Sequence, residues 1–318
     1  MKLKYLIKGF VKSIPGIEYV YNFDKSTGGT DNARYCYSVW LRHLVHGWHN
    51  GVNKIPRKIA ELGPGDSLGV GLCALICGAE KYFALDIVKF ANTEKNLSIF
   101  EELISLFKQR SPIPGVEEFP LLKPDIETYD FPFYIFSSAD MDTLLDEVRL
   151  QKIRDSIIAL SRSESDAKDR MIQYKAPWHH DEVIEAESVD MIISQAALQH
   201  IDHLEDAYRC MNKWLKKGGM MSHCIDFKSM GSSDIWDGHW AYSDWEWKIV
   251  RGRKTFFINR EPYSTHMKYL EQNGFTIICN KKTLSPSSFN GNGNRMVKFR
   301  NLSHEDLITS GTFIQALK

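Results

Sequence analysis

The chain has 318 residues, 43% of them hydrophobic and 25% charged, and 40 Lys+Arg balance 40 Asp+Glu. This is the composition of an ordinary globular protein; a neutral chain lacks the electrostatic footprint of a duplex-binding surface, so no nucleic-acid partner is expected. No apolar run approaches the ~20 residues of a membrane span. The six cysteines (Cys36, Cys73, Cys77, Cys210, Cys224 and Cys279) lack paired zinc-ligand spacing, so they read as reduced core residues of a cytoplasmic protein that needs no metal.

The opening "MKLKYLIKGFVKSIPG" carries Leu3, Leu6, Ile7, Phe10, Val11 and Ile14 at helical spacing, with Lys4, Lys8 and Lys12 as a separate stripe. Interspersed lysines argue against a secretory signal. Two readings stay open: a terminal helix docked on the domain, or an interfacial helix giving peripheral contact with an anionic membrane through residues 1–14. Residues 17–33 read as a loop and "RYCYSVWLRHLVHGWHNG" as an amphipathic helix, making 1–54 a lead-in to a domain over 55–318. That domain begins with a strand over 58–62, a glycine turn and a helix from about 67 to 77. The strand "KYFALDIV" and the helix "TEKNLSIFEELISLFKQR" follow, an alternation that predicts a parallel sheet covered by helices.

From residue 111 the rhythm breaks. The proline-rich "SPIPGVEEFPLLKPDIETYDFPF" reads as irregular and "ADMDTLLDEVRLQKIRDSIIALSRSESDAKDR" as a charged helix or helix pair, together an insertion over 111–172 between the second and fourth strands. The alternation resumes with strands in "MIQYKAPW" and "SVDMIISQA", the helix "HLEDAYRCMNKWL", the turn "KKGG" and the strand "MMSHCIDF". It ends with the helix "STHMKYLEQNGF" and strands in "TIICNK" and "GTFIQALK". The fold class is therefore α/β, a Rossmann-like sheet with helices on both faces.

The turn itself is "ELGPGDSLGVG", residues 61–71. Gly63, Gly65 and Gly69 miss the G-x-G-x-x-G spacing of dinucleotide-binding dehydrogenases by one residue. Glu61, entering the turn, suits a cationic amino group better than a pyrophosphate. Asp86, ending the second strand, suits a pair of ribose hydroxyls. In combination with the "SVDMIIS" strand, the "LKKGG" turn and the helix, "NGF", strand, strand ending, the chain resembles the class I S-adenosylmethionine-dependent methyltransferases over roughly residues 55–318, the insertion apart.

That resemblance implies seven strands, mostly parallel with the last antiparallel, and S-adenosylmethionine as cofactor. It implies that Glu61, Gly63, Pro64 and Gly65 line the methionine part, Asp86 the ribose, Ile87 the adenine, and Ser194 and Gln195 the sulfonium region. The family's acid after the third strand is missing: the place falls at Ala176, followed by Pro177 and Trp178, so either Trp178 stacks on adenine or Asp181 reaches in. Polar and aromatic residues from four later segments are expected above the strand ends. Among them His200, His223 and Asp226 are candidates for proton transfer, and His239, Trp240, Asn259 and Arg260 for acceptor contacts. The set is similar to methyltransferases encoded with bacterial surface-polysaccharide genes, which implies O-methylation of a sugar or glycan hydroxyl. The rival readings are a catalytically silent binding module of the same fold, or an enzyme acting on another small-molecule or lipid-linked acceptor.

Overall fold

The computed structural model describes residues 2–13, 28–161, 170–178, 181–254, 256–288 and 295–318. In chain order its elements are α1 (Lys2–Ser13), α2 (Ala33–His49), β1 (Lys58–Leu62), α3 (Gly69–Ile76), β2 (Lys81–Leu85), α4 (Thr93–Lys108), α5 (Ser138–Leu144), α6 (Glu147–Ala159) and β3 (Ile172–Lys175). They continue with β4 (Val189–Gln195), α7 (Leu204–Trp214), β5 (Leu215–Asp226), α8 (Asp244–Arg251), α9 (Tyr263–Gln272), β6 (Thr276–Leu284), α10 (His304–Ile308) and β7 (Thr309–Leu317). The loop expected over 17–33 and the "HH" of 179–180 lie wholly or largely outside the described residues.

The strands form one sheet in the order β3-β2-β1-β4-β5-β7-β6. β7 runs antiparallel between β5 and β6, and every other pair described is parallel. The expected seven-stranded Rossmann-like sheet is thus present. The order reverses at β1, where β2 departs to one side and β4 lies on the other, and this switch point opens a crevice at the carboxyl ends of the strands.

Both faces are covered. One core joins α2, α3, α4 and the insertion to side chains such as Ile59, Tyr82 and Ile193. The other joins α7 and α9 to Ala60, Leu62 and Ile192. Strands buried on both sides need continuous apolar runs, which "KIAEL" and "VDMIIS" supply.

Three features depart from the sequence reading. The 1–54 lead-in is not a separate unit, because α2 lies in the middle of the first core with Cys36, Trp40 and Leu41 fully enclosed. The "KKGG" segment is no free turn: β5 begins at Leu215 and runs through it, its register slipping between Val189 and Met191 on the partner strand. The Trp-rich segment is partly helical. Ser243 and Glu246 exchange hydrogen bonds as a capping box that starts α8, and α1 packs on α8 through Tyr5, Trp247 and Val250. A Cβ on Gly9 would lie 2.1 Å from the Ile249 carbonyl oxygen, so only glycine permits this approach. No helix among the described residues is long and apolar enough to cross a membrane.

Candidate active site

The glycine turn has the geometry its residues permit. Gly63 and Gly65 take φ of +69° and +74°, the left-handed region that penalises a Cβ, and a Cβ on Gly63 would meet Ala197 at 2.7 Å. Thr30, from the segment before α2, braces the turn, its hydroxyl oxygen accepting from the Asp66 and Ser67 amides at 2.9 and 3.3 Å. Asn96 of α4 accepts from the Leu68 amide at 2.9 Å.

Asp86 follows β2 and faces the turn, accepting from the Ile87 amide at 2.7 Å and the Gly65 amide at 3.4 Å. Burial pushes its carboxyl up to about 6 against those bonds. Glu61 sits differently from the expectation. Its side chain points beneath α3, 2% exposed, and accepts from the Tyr82 hydroxyl at 2.5 Å and from the Gly71 amide. It supports the turn from below and lines neither of the two cavities at the strand ends, because the alternation of β1 turns it toward the same side as Ile59.

A narrow cleft of about 100 Å³ opens over the turn, walled by Gly63, Gly65, Asp86, Ile87, Trp178, Gln195 and His200. Phe90 and Phe256 meet edge to face at 5.9 Å on its rim. Trp178 lines the cleft, whereas Asp181 pairs with Lys213 at 2.7 Å on the outside. Ala176 and Pro177 lead into Trp178, whose amide donates to the Asp86 carbonyl at 3.1 Å. Pro64 is buried within the turn and outside the cleft lining.

His200 ends a short 3-10 turn after β4. Asn259 holds that turn: its side-chain amide donates to the carbonyls of Leu198 and Ile201 at 3.0 and 2.9 Å, and its own backbone amide to the Gln199 carbonyl at 2.7 Å. Burial lowers the His200 imidazole below its ordinary value, while a backbone hydrogen bond to Phe257 and the charge of Asp226 oppose the shift. The imidazole is neutral at pH 7, and its Nδ1 is buried without a partner among the described residues.

A second cavity, of about 790 Å³, meets the first at Gln195 and Ala196. Its walls come from the insertion (118–125), the end of β5 with Asp226, and the β6–β7 edge, together with Tyr35. The insertion wall is fastened by α2. The enclosed Arg42 donates to the carbonyls of Pro114, Leu122 and Pro124 at 2.7 to 3.0 Å, Ser38 to Pro114 at 2.7 Å and Tyr37 to Ser111 at 2.7 Å. Sequence reasoning missed this wall. Its only signal was a run of polar residues, Arg42, His43 and His46, on a helix otherwise buried.

The remaining candidates lie elsewhere. Ser194 and His223 are enclosed within adjacent strands and face each other at 2.8 Å; burial pushes His223 down to about 3, so it stays neutral in the core. His239 and Trp240 are buried against each other and Trp236. Arg260 pairs with Asp244 at 2.5 Å and lies over the rings of Trp247 and Phe299. None of His239, Trp240, Asn259 and Arg260 lines either cavity. The β5–α9 segment folds into its own aromatic cluster with α1 and α8, which spends these groups on structure.

Residues 152–222, from α6 into β5, match the family model described as Methyltransferase domain. No curated protein sequence matches the chain. Among solved structures the chain is similar to an S-adenosylmethionine-dependent methyltransferase from Mesorhizobium loti, at 13% identity over 82% of this chain and 90% of that one, with a TM-score of 0.39. It is also similar to a SAM-dependent methyltransferase from Methanosarcina mazei (12% identity, 86% and 96% covered, TM-score 0.42). A third is phosphoethanolamine N-methyltransferase 2 of Haemonchus contortus (14%, 98% and 57%, TM-score 0.42). Residues 152–222 thus match a methyltransferase-domain model, and the sheet they belong to has a Rossmann-like strand order. The chemistry of the lining would suit S-adenosylmethionine: a buried carboxylate after β2, a turn whose Gly63 and Gly65 carry no Cβ, an aromatic wall, and the imidazole of His200.

Proposed function

We propose that the chain is a cytoplasmic S-adenosylmethionine-dependent O-methyltransferase whose acceptor is a hydroxyl of a sugar or glycan-type molecule, of the kind met in surface-polysaccharide biosynthesis. The observation that carries this reading is the junction of the two cavities at Gln195 and Ala196, five and four residues before His200, which lines the smaller one. The larger cavity is lined by Tyr35 and Phe119 beside polar groups, a combination that suits a sugar ring.

When bound, S-adenosylmethionine supplies a methyl carbon already activated on sulfur. The chain's part is then to hold and align. Asp86 accepts from the ribose hydroxyls, Trp178 and Ile87 flank the adenine, and the glycine turn takes the methionine end. Gln195 and Ala196 border the point of transfer, where alignment of the acceptor oxygen provides most of the rate. His200 would take the acceptor hydroxyl's proton during transfer, and the negative charge of Asp226 would stabilise the resulting imidazolium.

The test is calorimetry with S-adenosylhomocysteine, followed by labelled S-adenosylmethionine with a panel of sugar nucleotides and glycans. Asp86→Ala should weaken S-adenosylhomocysteine by on the order of 10²-fold, since two hydrogen bonds to a charged acceptor are lost. Full affinity in that variant, or label transferred to nitrogen alone, would overturn the reading.

A further inference from the structure

The walls of the larger cavity carry more positive charge than their carboxylates neutralise. Glu118 is held by Arg34 at 2.8 and 2.7 Å. Asp125 is paired with Lys123 and lies 3.9 Å from the enclosed Arg42. Asp226 lies 3.6 Å from Lys228. Lys282 is directed at Glu305 and the Tyr263 ring, which makes that pair neutral. Lys281 lines the cavity and has no carboxylate partner among the described residues. Of the groups that line the cavity, Lys123, Lys228, Lys281 and Lys282 stand against Glu118, Asp125 and Asp226, while Arg34 and Arg42 reach Glu118 and Asp125 from outside the lining. The histidines of α2 behind this wall add nothing, because burial holds His43 and His46 near 4 and therefore neutral.

The surplus is also placed. β6 stands three strand spacings from β4, so Lys281 lies roughly 14 Å across the sheet from the cavity junction at Gln195. We infer that the acceptor carries a phosphate ester, bound by Lys281 with Lys228 and Lys123, and separated from the reacting hydroxyl by a spacer about the size of a sugar. Lysine ammoniums serve phosphate as point charges without a fixed fork geometry. The rings of Tyr35 and Phe119 on the cavity wall then flank the spacer. This rests on the proposed methyl transfer only for the direction of the spacer; the anion site stands on its own residues.

Inorganic pyrophosphate is the probe, titrated calorimetrically into the full-length chain at fixed ionic strength, with S-adenosylhomocysteine measured in parallel. The expected result is saturable pyrophosphate binding that Lys281→Ala weakens at least about tenfold and Lys281→Glu abolishes. The same variants should leave S-adenosylhomocysteine affinity within about twofold. Asp86→Asn should do the opposite, lowering S-adenosylhomocysteine affinity and sparing pyrophosphate. No saturable pyrophosphate binding, or binding that all lysine variants retain, would overturn the inference. Pyrophosphate binding that depends on Lys281 in a chain that never binds S-adenosylhomocysteine supports the anion site and defeats the methyltransferase reading instead.

Discussion

The side-chain carbonyl of Gln195 lies 3.0 Å from Nε2 of His43, while Nδ1 of the same ring lies 2.7 Å from the Ser222 hydroxyl. Burial pushes His43 down to about 4, so the ring is neutral at pH 7 and has one proton to give. The Gln195 amide nitrogen donates to the Lys123 carbonyl at 3.1 Å, so its oxygen faces His43 and the proton resides on Nε2. Gln315 donates to Ser222 at 2.9 Å and completes the chain. The partition between the two cavities is thus hung from α2 through a row of hydrogen bonds with one consistent direction.

His43→Leu keeps the volume of the ring and leaves the Gln195 oxygen without its donor. The variant should lose about 1–3 kcal/mol of stability in urea unfolding. It should also raise KM for the acceptor more than it changes S-adenosylhomocysteine affinity, because the freed Gln195 loosens the insertion wall. Equal effects on both ligands would show that the partition is merely part of the core.

Glu61 makes a pH-dependent contribution. Burial raises its carboxyl from 4.5 to about 7, the Tyr82 hydrogen bond opposes this and the charge of Asp86 adds to it. The folded chain therefore binds this proton more tightly than the unfolded chain. The stabilising effect is complete below about pH 4.5 and is lost as pH rises through about 7. Glu61→Gln preserves an acceptor for Tyr82 without titrating, so relative to the parent it should gain on the order of 2–3 kcal/mol between pH 5 and 8. Thermal melts across that range check this; a difference independent of pH would mean that Glu61 is ionised throughout.

His200 and His223, both candidates for proton transfer in the sequence, should now separate. His200→Ala should lower turnover by about 10²–10⁴-fold with little change in S-adenosylhomocysteine affinity. His223→Ala deletes an enclosed ring that bonds Ser194, and should cost about 1–3 kcal/mol of stability with turnover per folded molecule largely kept. Single-turnover rates beside unfolding curves distinguish them, and the reverse pattern would exchange their roles.

For α1 both readings of the sequence find residues. Tyr5 is buried against α8 and donates to Asp234 at 2.6 Å, whereas Leu3, Ile7 and Phe10 are 68%, 54% and 64% exposed. Substituting all three exposed residues with Ser should leave the melting temperature unchanged and abolish binding to phosphatidylglycerol vesicles if this face meets a membrane. Tyr5→Ala should destabilise without changing vesicle binding in the folded fraction. Vesicle binding that survives the triple substitution would exclude this face.

The parallel strands were legible as segments because strands buried on both faces are rich in apolar residues, as "KIAEL", "KYFAL" and "VDMIIS" are, whereas their order in the sheet was not. The cleft around Gly63, Gly65, Asp86, Ile87 and Gln195 was legible for a related reason: a turn at a strand end has its geometry written into local residues, glycines for left-handed φ and an acid one strand over. Even Trp178 against Asp181 came down to two residues a few positions apart. Where the side chains beyond the turn point depends on packing between distant segments. Glu61 faces under α3 because of the parity of one strand, and His223 and Arg260 are enclosed because α9, α8 and α1 close over them. The acceptor cavity was hidden for the same reason. Its walls come from α2, the insertion and the β6–β7 edge, segments far apart in sequence whose meeting depends on packing and leaves no local pattern to read.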